Sequence, residues 1–138
     1  MFLKDRSVKM LKRSELINIM KENETRISRE HLDLGILKSV LSSIIAKLDS
    51  TECMPDSRFS MYGRMELLKE ELNRNLNEKR YLDAYYNISD FLNGSRNSVC
   101  MNPEIMNNNI AYYKEDIVCK EEKEQLIEMI NTFLKAVN

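Results

Sequence analysis

The chain has 138 residues, a net charge of −1 and only three Gly and two Pro. That length suits one domain spanning residues 1–138, and so few turn formers exclude a sandwich or barrel built from many tight hairpins. The near-zero charge gives no global attraction to nucleic acid or to an anionic membrane.

Residues 1–13 carry Lys4, Arg6, Lys9, Lys12 and Arg13 against Asp5 alone. Phe2, Leu3, Val8, Met10 and Leu11 are interleaved with them. This is a basic amphipathic arm or the front of a first helix. Its charges break up any signal-peptide core. Leu11, Leu16, Ile19 and Met20 carry a helical pattern to about Glu22, and the polar Asn23 to Thr25 read as a turn.

The strongest pattern runs from Ser28 to Asp49. Leu34, Leu37, Leu41, Ile44 and Leu48 are spaced three, four, three, four. On a helix this makes one continuous stripe, widened by Ile36, Val40 and Ile45. Ser28 is the expected N-cap, with Glu30 in the first turn and Lys47 in the last. Gly35 is read as a tolerated interior glycine, at about 1 kcal/mol relative to Ala. This helix is the expected centre of the fold.

Pro55 and its small polar neighbours make a loop, and Asp56 or Ser57 can cap the next helix. Met61, Met65, Leu68, Leu72 and Leu76 form its stripe. Asn77 to Lys79 reads as a short turn, with one long bent helix as the alternative. Tyr81, Leu82, Tyr85, Ile88 and Leu92 make a further stripe, and Gly94 is the expected left-handed cap that ends it. Asn102-Pro103-Glu104 opens another helix, with Ile105, Met106, Ile110, Tyr113 and Ile117 on its apolar face. The charged run from Lys120 to Glu124 either links to a last helix or continues this one. Leu126, Ile127, Ile130, Phe133, Leu134 and Val137 form the final stripe, which should dock on the body or on a partner. Every apolar set fits the helical period, so the expected fold is an all-α, single-domain bundle of five or six amphipathic helices around the helix at about 28–49.

Little in the sequence speaks for catalysis. There is one His, His31, and no Cys pair at ligand spacing, so no metal site is expected. Glycines are too scattered for a phosphate-binding loop, and no cofactor is expected. Cys53, Cys100 and Cys119 are odd in number and widely spaced, as free thiols of a reducing, cytoplasmic compartment are. No apolar run reaches the length of a membrane span.

The Tyr85-Tyr86 and Tyr112-Tyr113 pairs place one ring toward the core and one at its boundary, since helical neighbours point about 100° apart. Tyr86 and Tyr112, with Phe133 and Val137 at the chain end, are the candidate partner contacts. The leading expectation is a non-enzymatic regulatory or adaptor protein that binds another protein or a second copy of itself. The alternative is a nucleic-acid-binding regulator that uses Lys4, Arg6, Lys9, Lys12 and Arg13 as a basic arm. The C-terminal portion is acidic where the arm is basic. These ends can pair within one fold, pair between subunits, or stand as separate solvated faces. Arg80-Tyr81-Leu82-Asp83-Ala84 followed by Asn102-Pro103 resembles part of a tetratricopeptide repeat, but the interval is too long and no second copy occurs.

Overall fold

The computed structural model describes residues 10–27, 32–53, 62–95 and 117–138. Among them are α1 (Arg13–Glu22), a 3₁₀ turn (Glu24–Ile27), α2 (Leu34–Ser50), α3 (Tyr62–Asn77), α4 (Tyr81–Ser95) and α5 (Lys120–Val137). The expected helix at 103–118 falls mostly outside the described residues.

The stripes read from the sequence are the buried faces. Leu37, Val40, Leu41, Ile44 and Leu48 are buried on α2; Met65, Leu68, Leu72 and Leu76 on α3; Leu126, Met129, Ile130, Phe133 and Val137 on α5. The spacing had missed Ile17 on α1, Phe91 on α4 and Met129 on α5, which are also buried, whereas Leu34, read as the first residue of the α2 stripe, is exposed. All five helices feed one apolar cluster. They close a ring in which α1 packs on α2, α2 on α5, α5 on α3, α3 on α4, and α4 back on α1. The fold is an all-α bundle.

Three boundaries have a local chemical cause. α2 starts at Leu34 because Asp33, not Ser28, is its N-cap. The Asp33 carboxylate accepts from the amides of Gly35 (2.8 Å) and Ile36 (3.2 Å), two of the donors a helix start leaves unpaired. Gly35 therefore sits in the first turn, not in the helix interior where a glycine costs most. α3 ends in a Schellman motif: the Arg80 amide donates to the Asn75 carbonyl (2.8 Å) and the Lys79 amide to that of Leu76 (3.1 Å). Lys79 holds the left-handed position, with φ of 59°. The turn expected at Asn77 to Lys79 thus separates α3 from α4. Gly94, expected as a left-handed cap, instead lies inside α4 and has no positive φ. A side chain at position 94 would begin where the Arg64 guanidinium lies, so the glycine clears space for Arg64.

Residues 10–12 are extended and form no part of α1. The Leu11 amide donates to the Glu52 carbonyl (2.6 Å), and the Leu11 carbonyl accepts from the Val118 amide (2.8 Å). Two isolated bridges, Met10 to Glu52 and Lys12 to Ile117, mark this seam, and no longer strand forms among the described residues. Leu11 and Val118 are fully buried. The segment before α1 is thereby held between the segment after α2 and the one before α5.

Candidate interaction surface

The residues nominated from the sequence scatter. Lys4, Arg6, Lys9 and Tyr112 lie outside the described residues, as do His31 and Cys100. Lys12 is exposed, and its amide is capped by the Glu15 carboxylate at 2.9 Å. Arg13 is 0% exposed. Its guanidinium grips Glu122 through two hydrogen bonds, Nε to Oε2 at 2.8 Å and Nη2 to Oε1 at 2.5 Å. A guanidinium so enclosed cannot reach a phosphate, and Arg13 leaves the set of nucleic-acid contacts. The pair also joins the basic N-terminal portion to the acidic C-terminal one inside the fold.

Phe133 and Val137 are likewise corrected. Both are buried, Phe133 completely, because the α5 stripe docks on α2 and α3. Core residues of this kind present nothing to a partner. The Tyr pair on α4 divides as its spacing required. Tyr85 is buried and Tyr86 is half-buried, the two rings meeting edge to face at 5.9 Å. Tyr86 keeps an accessible edge.

The surface that combines apolar exposure with a concave shape lies between α3 and α4. Leu67 is 58% exposed, more than any other large apolar side chain among the described residues. It borders an open cleft of about 210 Å³ lined also by Arg64, Leu68, Glu71, Asn87, Asp90 and Phe91. The Arg64 guanidinium carbon stands 5.9 Å from the centre of the Phe91 ring, a cation–π contact at the cleft wall. Asn87 ties the two helices together there: its side-chain oxygen accepts from the Asn75 side-chain amide at 2.6 Å, and its own side-chain amide reaches Glu71 at 3.5 Å. An apolar centre, an arginine and a polar rim make up the usual anatomy of a protein-binding surface. The signal for Leu67 was present in the sequence. It adjoins Leu68 but falls outside the stripe of Met65, Leu68, Leu72 and Leu76, about 100° from Leu68 around the helix.

A second cleft, of about 320 Å³, is lined by Asp49, Ser50, Thr51, Glu52, Cys53, Lys120 and Lys123. Its carboxylates and amines are of both signs, so it selects no single charge. Burial pushes the Cys53 thiol up, with Lys123 opposing in part, so it is a protonated thiol at neutral pH. Cys119 is buried. Among the described residues, no three His, Cys, Asp or Glu side chains group as a metal ion would need. No helix there is long and apolar enough to cross a membrane. No family model matches the chain, and no curated protein or solved structure matches it either.

Proposed function

We propose that this chain is a non-enzymatic regulatory or adaptor protein that acts by binding another protein or a second copy of itself, in a cytoplasmic setting. One observation carries the reading: Leu67 stands exposed at the lip of the α3–α4 cleft, beside Arg64 on the Phe91 ring. An exposed leucine alone needs no explanation. One set beside a concave wall of Phe91 and Leu68, with Glu71 and Asp90 at the rim, is the kind of anchor a partner covers. Tyr86 remains a candidate contact on α4. The nucleic-acid alternative rests on Lys4, Arg6, Lys9 and Lys12 without Arg13.

The test is affinity capture from extract of the native host, with and without nuclease, and light scattering on the purified protein. Wild type and Leu67→Asp are run side by side. A stoichiometric protein partner, or a dimer, that survives nuclease and is lost in L67D supports the reading. Partners that vanish with nuclease, and whose binding falls steeply with salt, overturn it in favour of the basic arm. Binding that L67D leaves intact removes the cleft as its site.

A further inference from the structure

The wall that α3 gives to the α3–α4 cleft carries charge in a fixed order. Arg64, Leu67, Glu71 and Arg74 are spaced three, four, three, so they form one stripe along that helix. All four are exposed, as is Asp90 on the facing wall. On the flank of the same helix Lys69 pairs with Glu66 at 3.3 Å. Among the described residues, Arg64, Glu71, Arg74 and Asp90 enter no ion pair.

Leu67 lies between a cation and a carboxylate, three residues after Arg64 and four before Glu71. Read backwards, the stripe exchanges the two signs. A second α3 laid antiparallel, about a two-fold axis beside the Leu67 pair, sets Arg64 of each copy against Glu71 of the other. That is the self-match an isologous interface requires. A parallel α3 would set Arg64 against Arg64. Across the cleft as a whole, Arg64 and Arg74 balance Glu71 and Asp90, so two copies do not repel through net charge.

We propose that the α3–α4 cleft is covered by a second copy of this chain, in a two-fold dimer with antiparallel α3 helices. The inference rests on the reading of that cleft as a protein-binding surface and names its occupant. Each Leu67 meets the Leu68 and Phe91 wall of the other copy's cleft. The Phe91 ring already holds the Arg64 guanidinium, 5.9 Å from the ring centre, so little side-chain freedom is lost when Arg64 pairs. α3 has 16 residues, so it is about 24 Å long, and with α4 beside it the face is about 20 Å wide, or about 500 Å². Two such faces bury about 1,000 Å², the low end for specific complexes. The dimer therefore forms and separates with concentration, and salt weakens it.

The test is sedimentation equilibrium of the purified full chain over a wide concentration range. Wild type is expected to pass from monomer to dimer, and Leu67→Asp to stay monomeric. Arg64→Glu and Glu71→Arg each set like charges together on both sides of the two-fold axis. Each is expected to raise the dissociation constant about tenfold. Mixed in equal amounts, the two variants restore both pairings, and association should return to near the wild-type level. Such rescue also shows that each variant is folded. Weakening by both variants without rescue on mixing overturns the antiparallel pairing. A dimer that L67D and both charge exchanges leave unchanged overturns the inference. A wild type that stays monomeric throughout overturns the second copy as occupant. If affinity capture then still yields a partner that L67D loses, the cleft stands as a binding surface for another protein; if it yields none, that reading falls too.

Discussion

The Tyr85 hydroxyl donates a 2.7 Å hydrogen bond to the Met20 carbonyl inside the core. It joins the middle of α4 to the last turn of α1, where helix carbonyls begin to lack partners. The Asn23 amide also reaches that carbonyl, at 3.3 Å. Tyr85→Phe therefore leaves the carbonyl with one donor, and is expected to lower stability by about 0.5–1.5 kcal/mol in urea unfolding.

The same residue makes stability depend on alkaline pH. Burial, then Glu24 and Tyr86, raise the Tyr85 phenol above its ordinary range. The folded state thus holds its proton more tightly than the unfolded chain. Below about pH 10 both states are protonated and the contribution is complete. Above that the unfolded chain ionises first, and stability falls as pH rises toward the folded value. Unfolding midpoints measured from pH 8 to 11 should fall less steeply in Y85F than in wild type.

Arg13→Met alone, or Glu122→Leu alone, removes one member of the buried ion pair. Each is expected to destabilise by about 3–5 kcal/mol, while the joint replacement recovers most of the loss. A double-mutant cycle on urea midpoints measures this coupling. Additive losses would show that the pair does not act as a unit.

Lys79 occupies the left-handed position of a Schellman motif with a φ of 59°, a conformation that costs a side-chain-bearing residue about 1–2 kcal/mol. Lys79→Gly removes that strain but adds backbone freedom to the unfolded chain. The net expected outcome is a gain of up to about 1 kcal/mol, read from the unfolding midpoint. A loss would mean that Lys79 makes a favourable contact the glycine gives up.

Asp33→Ala removes the acceptor for the Gly35 and Ile36 amides. The expected loss is about 0.5–2 kcal/mol, with faster amide exchange confined to the first turn of α2. Asp33→Asn should retain most of the stability, since its side-chain oxygen can still accept.

Local patterns settled much of this protein in advance. Three- and four-residue spacing located the buried faces of α2, α3, α4 and α5, because one helix buries one stripe whatever it packs against. The split of Tyr85 from Tyr86 follows from the same geometry. Helix ends were less legible. Asp33 and Ser28 are both good caps, and only the observed backbone path decides between them. Lys79 sits where glycine is usual, so composition alone left the α3–α4 turn open. What the tertiary structure alone decided are relations between distant residues. Arg13 reads as one more cation of a basic arm until Glu122, 109 positions away, encloses it. Phe133 reads as a candidate partner contact until α5 docks on α2 and α3. Leu67 becomes a candidate anchor only when Phe91 and Arg64 build a wall beside it. Spacing along a chain determines which way a side chain faces on its own helix. What it faces there depends on packing, and burial and pairing turn charges and rings of one sequence type into core, ion pair or contact.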